Sequence, residues 1–403
     1  IDIIPWYDQR TENIRNNFLH KNKNFDIYKN TGLNSDHFYS AYKILWIKKN
    51  KLDIYKKIYK WLPVNDYYSM RLTGSISTDY SQAMRTLLFD PKKLKWSKIM
   101  IKKFGIKQNI LPDIINAGDK KGIFNRKIKK ILGINYNCIV GAGGHDHFVG
   151  IYGLGGFYKN TIVNSLGSAE AISINTDKYL INNKLKNGKF ISGVFKTKSR
   201  TSFYIVGSIL TSGIIIDWFI KNFNIKNFEE LDNMSLNSKN KNILFFPQFE
   251  YSHSPINSLK TKGAIMGIDR STAIEDIYSS ILRCLTFDTK NALDFMTNNS
   301  KIKIKKIISS GGSVKNKNWM KLRANILNHN IYIDKNVENV SLGSAILAGI
   351  ACNIYKNEKD AFTKIKNNFE IIKKDRNKIN ENYLLFNKYK SSIKKIIELN
   401  KIL

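Results

Sequence analysis

A glycine-rich turn is predicted by the stretch Asn137-Cys138-Ile139-Val140-Gly141-Ala142-Gly143-Gly144-His145-Asp146-His147. A short β-branched run ends in a cluster of glycines, which let the backbone turn sharply and approach a ligand closely. The pattern predicts a strand, then a turn, then a helical segment over residues 148–152. Because α/β sheets bind ligands where a strand passes into a helix, we interpret Asp146 as a general base. The alternative is an Asp that caps the following helix.

The length of 403 residues predicts two domains, each with its own core. Glycines at 153, 155 and 156 favour a boundary there, with an N-terminal domain over 1–156 and a C-terminal domain over 157–403. Because the first residue is Ile rather than Met, we expect the chain to lack an N-terminal segment.

The formal net charge of +34 invites a nucleic-acid function. The lysines are spread along the chain and alternate with apolar residues, as on solvated faces of helices and strands. We therefore expect nonspecific, salt-sensitive attraction to polyanions and no specific nucleic-acid partner. No apolar run reaches the ~18 residues of a membrane span, so no membrane association is predicted. Three separated cysteines fit neither a metal nor a disulfide spacing, which favours a cytoplasmic protein.

Two further glycine turns lie in the second half of the chain. Residues 161–174 have the pattern of a β-hairpin, with Gly167-Ser168 at its tip. Such a tip can offer backbone N–H groups and the serine hydroxyl to a phosphate, although an ordinary hairpin turn is the alternative. A strand over 304–309 leads through Gly311-Gly312 to a helix that begins near residue 318, an arrangement that favours nucleotide binding.

The other elements are predicted from apolar spacing and turn residues. We expect a strand at residues 1–6, and a helix capped by Thr78 or Asp79. The remaining expectations are helices over 38–49, 53–62, 66–72, 96–104 (capped by the glycine at 105) and 272–296, a turn from 207 that leads into a helix, a loop at 253–255, a close-packing small-residue helix at 341–345 and a helical basic tail from 364.

Two more motifs are Trp6-Tyr-Asp-Gln-Arg10 and Leu72-Thr-Gly, the latter followed after three residues by Thr78-Asp79-Tyr-Ser81. Their order, together with the three glycine turns, resembles that of the FGGY carbohydrate kinases over nearly the whole chain. The resemblance implies an α/β fold of two ribonuclease-H-like (actin-like ATPase) domains around a cleft, the N-terminal one incomplete. It also implies transfer of a phosphoryl group from ATP to a sugar hydroxyl, with Mg²⁺ as the metal.

The resemblance assigns roles to particular residues. Asp146 matches the catalytic base, and His147 matches the residue after it, which contacts the sugar. Trp6 and Phe38 match positions that line the sugar pocket. The nucleotide positions, in the second phosphate motif and around the adenosine motif, are matched by Gly167, Ser168, Gly311, Gly312, Ser313 and Asn316.

The chain also departs from the family pattern. The Asp-x-Gly-Thr hairpin of the first phosphate motif and the sugar-contacting pair before the Trp6 motif are both absent. Because the missing Asp would help to hold Mg²⁺, no metal ligand is assigned. We therefore expect weak or no catalysis from this chain alone, and kinase activity from a longer parent. The segment Tyr251-Ser-His-Ser-Pro255 stands where the family often has Gly-Glu-Arg-x-Pro.

The sequence is compatible with several alternatives. A non-catalytic protein that binds sugar or nucleotide is the alternative to a kinase. His145 and His147 could ligate a metal from one face of a strand, although no third ligand is apparent. A ketopentose such as xylulose is the expected substrate, because in glycerol kinases Gln usually follows the Asp. His147, which follows it here, also departs from the Asn that is usual in xylulose kinases. The expected partner is a small-molecule sugar, and a homodimer is left open.

Overall fold

The computed structural model describes residues 3–225, 228–249, 254–256, 261–334, 338–365, 369–400 and 402. Its helices are α1 (Glu12–Lys21), α2 (Ile27–Thr31), α3 (Ser40–Asn50), α4 (Leu52–Lys57), α5 (Val64–Thr73), α6 (Tyr80–Met84), α7 (Lys98–Phe104), α8 (Arg126–Leu132), α9 (Asp146–Gly153), α10 (Asn183–Asn187), α11 (Gly213–Asn222), α12 (Phe228–Asn237), α13 (Ile274–Ser300), α14 (Lys317–Leu327), α15 (Asn339–Ala351), α16 (Glu358–Ile365) and α17 (Tyr383–Leu399).

The strands are short in the first part of the chain and longer in the second. They are β1 (Ser77–Asp79), β2 (Phe89–Asp90), β3 (Lys95–Trp96), β4 (Asp113–Ile115), β5 (Lys120–Ile123), β6 (Ile139–Gly141), β7 (Thr161–Leu166), β8 (Glu170–Thr176), β9 (Ile191–Lys196), β10 (Thr201–Ile209), β11 (Leu244–Phe246), β12 (Ala264–Met266), β13 (Lys306–Ser310), β14 (Ile331–Asp334) and β15 (Phe369–Ile372).

The first part of the chain packs around α3. Its buried side chains include Ile44 and Ile47, three residues apart, together with Tyr42, and the helix predicted there is confirmed. Phe104 of α7 packs edge-on against Tyr42, with 5.4 Å between the ring centres. α7 ends at Gly105, whose positive φ of 60° confirms the predicted glycine cap.

The strands of this first part occur in pairs. β1 runs parallel to β4, and β5 runs antiparallel to β6, which leads the chain into the glycine turn before α9. Asp79, the last residue of β1, caps α6 by accepting the amide hydrogens of Ser81 and Gln82 at 2.8 and 3.2 Å. The predicted cap is therefore Asp79 rather than Thr78.

One mixed sheet organises the second part, in the strand order β15-β14-β13-β7-β8-β10-β9. β7 and β8 form the predicted hairpin, and its last pair is Leu166 opposite Glu170. β13 runs parallel to both β7 and β14, so the chain leaves β7 and β13 at the same edge. Helices α13 and α14 contribute Tyr278 and Trp319 to the core, and neither side chain is exposed.

Helices α9 and α15 pack closely between the two parts. A Cβ at Gly343 would lie 2.1 Å from the carbonyl oxygen of Val149, and one at Gly153 would lie 2.4 Å from that of Asn339. Only glycine permits backbones to approach this closely. The close packing predicted for the small-residue helix is confirmed, and it holds α9 against the second part.

Two expectations for the first part are wrong. Residues 3–5 form no strand, and Trp6 and Tyr7 lie in a turn, because no strand of the described chain pairs with them. The helix predicted over 53–62 ends at Lys57, so the residues before Pro63 are extended or irregular.

Two expectations for the second part are also wrong. Gly207 lies within β10 rather than in a turn, because β8 and β9 pair with this strand on its two sides. Residues 369–372 form the edge strand β15 against β14, where a helical tail was expected. Residue 253 of the expected loop lies outside the described residues. Within the described ranges, no helix combines the length and the apolar character that crossing a bilayer requires.

Candidate active site

Asp146 is the first residue of α9, directly after the glycine turn. Its side chain is 70% exposed, and Oδ1 accepts the amide hydrogen of His147 at 2.7 Å. The N-cap position belongs to His145, so the capping alternative for Asp146 is wrong. A carboxylate in the first turn is stabilised by the positive end of the helix dipole, while its exposure leaves it accessible to a ligand.

The charge state of Asp146 depends on its neighbour His145. Nδ1 of His145 lies 3.0 Å from Oδ1 of Asp146. Burial, reinforced by the charge of Arg85, lowers the pKa of His145 to about 4, so the ring is neutral at pH 7. The polar contact with His145 holds the pKa of Asp146 well below its usual range. Asp146 is therefore ionised at neutral pH, as a general base requires.

The turn before α9 rests on Ser81. The amide of His145 donates to Ser81 Oγ at 2.9 Å, and the Ser81 hydroxyl donates to the carboxylate of Asp79. A Cβ on Gly144 would lie 2.8 Å from the Phe195 ring and 3.0 Å from Ser81 Oγ, so the turn fits against these side chains only as glycine. Sequence reasoning missed Ser81, because it lies 64 residues from His145.

The residues expected to bind the sugar have different surroundings. His147 is exposed, and its ring stacks on that of His145 with 5.5 Å between the centres. Trp6 is 71% exposed, whereas Phe38 is half-buried and its ring lies 4.5 Å from that of Tyr39. In the part of the chain that the structure describes, neither Trp6 nor Phe38 forms a ring contact with His147.

Helix α3 connects Phe38 to the start of α9. The amide of Ser40 donates to the carbonyl of Arg85 at 3.3 Å, and the Arg85 guanidinium lies 5.8 Å from the centre of the Phe148 ring in α9.

Lys43 of α3 donates to two backbone carbonyls just before Trp6, at 2.9 and 3.0 Å. α3 therefore contacts both segments predicted to line the sugar pocket, and Arg85 is a second residue that the sequence did not reveal.

The turn between β7 and β8 is held at the start of α11. Gly167 and Ser168 are exposed. The carbonyl of Gly167 accepts the amide hydrogen of Gly213 at 3.1 Å, and that of Ser168 accepts those of Ser212 and Ile214 at 3.2 and 3.1 Å. A Cβ on Gly213 would lie 2.5 Å from the carbonyl oxygen of Gly167. The start of α11 therefore supports this turn, which no pattern in the sequence indicated.

The second nucleotide turn lies beside the first. β13 runs parallel to β7 up to Gly311, where a Cβ would lie 2.4 Å from the carbonyl oxygen of Leu166. Gly311 also has a φ of 99°, which L side chains rarely adopt. Gly312 is exposed, and a Cβ there would meet nothing within 4 Å. The structure therefore brings the two predicted nucleotide turns together.

Asn316 shapes the end of this second turn. Its side chain accepts the amide hydrogen of Trp319 at 2.7 Å and so caps α14, and its Nδ2 lies 3.4 Å from the hydroxyl of Tyr278. Ser313 lies in the 3₁₀ turn Gly312–Lys315 and is half-buried. Asn316 therefore has a structural function in addition to its predicted contact with adenosine.

The surroundings of the two turns suit a nucleotide. The hydroxyls of Thr211 and Ser212, just before α11, are buried and have no hydrogen-bond partner within the described ranges. Ser168 and Gly312 add backbone N–H groups in exposed turns, and α14 begins just after the second turn. Hydroxyls and amides are the donors that phosphate oxygens accept, so the residues present fit ATP.

The alternative of a metal site at His145 and His147 is wrong in its geometry. These residues lie at the start of a helix rather than on one face of a strand. No group of three or more His, Cys, Asp or Glu side chains suited to a metal occurs among the residues that the structure describes.

Comparison with known sequences identifies the family. The N-terminal domain profile of the FGGY family of carbohydrate kinases matches residues 1–153, and its C-terminal domain profile matches residues 162–352. The chain therefore belongs to the FGGY family and is a carbohydrate kinase, for which the family implies ATP and a divalent metal.

Individual relatives agree on the fold but differ in substrate. The chain is 28% identical over 356 residues to the xylulose kinase of Staphylococcus xylosus, covering 86% of this chain and 71% of that protein. It is 28% identical over 406 residues to the glycerol kinase of Aquifex aeolicus, covering 98% of this chain and 80% of that protein. A ligand-bound xylulose kinase structure from Lactobacillus acidophilus superimposes with a TM-score of 0.86 at 21% identity, covering 96% and 78%. These comparisons confirm the two-domain α/β fold of the actin-like ATPases.

Proposed function

We propose that this chain phosphorylates a hydroxyl of a ketopentose such as xylulose, with ATP as the donor and Asp146 as the general base. The observation that carries the proposal is the exposed, ionised carboxylate of Asp146 at the start of α9. A sugar hydroxyl within about 3 Å of this carboxylate would give up its proton as its oxygen attacks phosphorus. Phosphoryl transfer otherwise depends mainly on positioning and charge neutralisation.

ATP supplies the phosphoryl group, and this chain supplies its binding site. The backbone of Gly167-Ser168 and the unpartnered hydroxyls of Thr211 and Ser212 would hold phosphate oxygens. The turn from Gly311 to Asn316 would border the adenosine, with the N-terminus of α14 behind it. Mg²⁺ would supply charge neutralisation on the phosphates, and no ligand for it is assigned in this chain.

The sugar would bind beside Asp146 and His147. His147 is exposed next to the base, so its ring can donate to or accept from a sugar hydroxyl. Trp6 and Phe38, both tied to α3, would supply apolar contact for the carbon chain. The xylulose kinases among the relatives favour a ketopentose, and the use of ATP favours a cytoplasmic location.

The test is Asp146→Asn, which preserves shape and removes the base. We expect sugar-dependent ADP formation to fall by about 10²–10⁴-fold, because that is the typical contribution of general base catalysis. Sugar binding, measured by calorimetry, should change little. Candidate acceptors are xylulose, ribulose, gluconate and glycerol, each at saturating concentration.

Asp53→Asn is the matched control. Asp53 is also an exposed Asp in the first turn of a helix, α4, in the same part of the chain. This variant should keep the wild-type rate. Equal rates for Asp146→Asn and wild type would refute the proposed base, and a preference for glycerol over xylulose would refute the proposed substrate.

A protein that binds sugar or nucleotide without transferring phosphate is the second candidate. Sugar and ATP binding without any ADP formation would establish the second candidate.

A further inference from the structure

The Thr78-Asp79-Tyr-Ser81 motif has no part in the proposed reaction, yet its serine contacts the catalytic turn. Ser81 has no exposed surface and lies in α6, in the core of the first part. Its hydroxyl joins two groups that are distant in the sequence. It donates to the carboxylate of Asp79 and accepts the amide hydrogen of His145 at 2.9 Å.

The direction of these hydrogen bonds is determined by the chemistry of the groups. A backbone N–H can only donate, so Ser81 Oγ accepts from His145, and its one hydroxyl hydrogen points to Asp79 Oδ1, which also accepts the amide hydrogen of Ser81. Asp79 is itself held by the amides of Ser81 and Gln82, at 2.8 and 3.2 Å. The hydroxyl oxygen that receives His145 is therefore held in one orientation.

The amide that Ser81 receives is the one directly before Asp146. His145 is the N-cap residue of α9, so its N–H has no partner within the helix. Gly144 packs against the same hydroxyl, since a Cβ there would lie 3.0 Å from Ser81 Oγ. The start of α9, and with it the carboxylate of Asp146, is therefore located by this contact.

We propose that Ser81, anchored by Asp79, is a positioning residue that holds the start of α9 so that the carboxylate of Asp146 meets the sugar hydroxyl. This inference rests on the proposed function of Asp146. A misplaced base loses the proximity on which proton transfer depends, and a displacement of about 1 Å can reduce a rate by roughly 10²-fold. The nucleotide turns lie in the other part of the chain, so ATP binding should not change.

The test compares Ser81→Ala with Ser97→Ala. Ser97 is a buried serine that caps α7 by accepting the amide hydrogen of Met100, and among the described residues it has no hydrogen bond to α9. Both variants lose a buried hydroxyl, but only Ser81→Ala should lower kcat, by about 10–100-fold, with the KM for ATP unchanged. Ser81→Thr, which keeps the hydroxyl, should recover most of kcat. Equal losses in Ser81→Ala and Ser81→Thr, or in Ser81→Ala and Ser97→Ala, would overturn the inference.

A measurement without turnover separates this inference from the proposed function. In protein with ¹⁵N-labelled histidine, the His145 amide proton should exchange faster and move upfield in Ser81→Ala but not in Ser97→Ala. An unchanged resonance would overturn the inference, whereas a wild type that forms no ADP with any sugar would overturn only the proposed function. Should Ser81→Ala fail to fold, Asp79→Ala, which removes the acceptor of the Ser81 hydroxyl, replaces it, and a full kcat in that variant would overturn the inference.

Discussion

Arg323 and Glu170 form an ion pair of 2.8 Å in which neither side chain is exposed to solvent. Glu170 comes just after the nucleotide turn at 167–168, and Arg323 lies in α14, which begins after the nucleotide turn at 311–312. Arg323 also donates to Asn164 at 2.9 Å, and the hydroxyl of Thr289 donates to Glu170 at 2.8 Å. The pair therefore joins the two nucleotide turns beneath the surface of the site.

Removing the arginine alone should destabilise the protein strongly. Arg323→Met leaves the carboxylate of Glu170 buried without its counter-charge, and we expect the free energy of unfolding to fall by about 3–5 kcal/mol. The double variant Arg323→Met with Glu170→Gln should recover part of this loss, because no charge then stays buried. Urea unfolding, followed by circular dichroism, measures the free energy of unfolding of the single and the double variant.

The exposed pair of Lys364 and Asp360 in α16 is the control for this experiment. Lys364→Met should leave the urea midpoint unchanged, because an exposed pair on a helix contributes little. A double variant no more stable than Arg323→Met would contradict the assignment of the loss to an unpaired charge.

The two adjacent glycines of the second turn should respond differently to alanine. Gly311→Ala places a methyl group 2.4 Å from the carbonyl oxygen of Leu166 and strains a φ of 99°, so both stability and ATP binding should fall. Gly312→Ala meets no protein atom within 4 Å, so stability should not change. A few-fold rise in the KM for ATP of Gly312→Ala would show that the nucleotide uses this open space. Equal thermal midpoints for the two variants would contradict the prediction.

His145 should make the protein less stable as the pH falls. Its pKa is lowered by burial from 6.5 to about 4, so between these values the unfolded chain binds a proton that the folded chain does not. The stabilisation is complete above pH 6.5 and is lost as the pH falls toward 4, by about 3 kcal/mol. His145→Gln should remove this dependence, as measured by urea unfolding across the range. Identical pH profiles for His145→Gln and wild type would contradict it.

Asp79 should act in the opposite direction over much of the same range. Burial raises the pKa of Asp79 to about 7, so the folded chain retains a proton that the unfolded chain has lost. Its contribution is present below the ordinary value of 3.8 and is lost as the pH rises toward 7, by about 4 kcal/mol. Asp79→Asn should therefore steepen the acid destabilisation due to His145, whereas the exposed control Asp53→Asn should not. If the free energy of unfolding of Asp79→Asn fell less steeply with falling pH than that of wild type, the prediction would be contradicted.

His147 should affect the sugar and not the nucleotide. Its ring is exposed beside the base, and the ring contact that it forms among the described residues is with His145. His147→Ala should raise the KM for the sugar several-fold and leave the KM for ATP unchanged. A change confined to the KM for ATP would contradict the predicted role.

The sequence by itself predicted the features that depend on neighbouring residues. The glycine turns at 141–144 and 311–312, the hairpin at 161–174 and the cap at Gly105 all follow from local backbone preferences, and the structure confirms them. The order of these motifs also indicated the kinase family, which the sequence profiles confirm. The roles assigned to Asp146, His147 and the nucleotide turns stay predictions.

Only the tertiary structure decided which distant residues support the site. Ser81 meets His145 across 64 residues and Arg323 meets Glu170 across 153, and neither contact leaves a periodic pattern in the sequence. The strand at 369–372 and the inclusion of Gly207 in β10 likewise depend on partner strands. Such hydrogen bonds and pairings form only once packing has brought the segments together, so local propensity does not encode them.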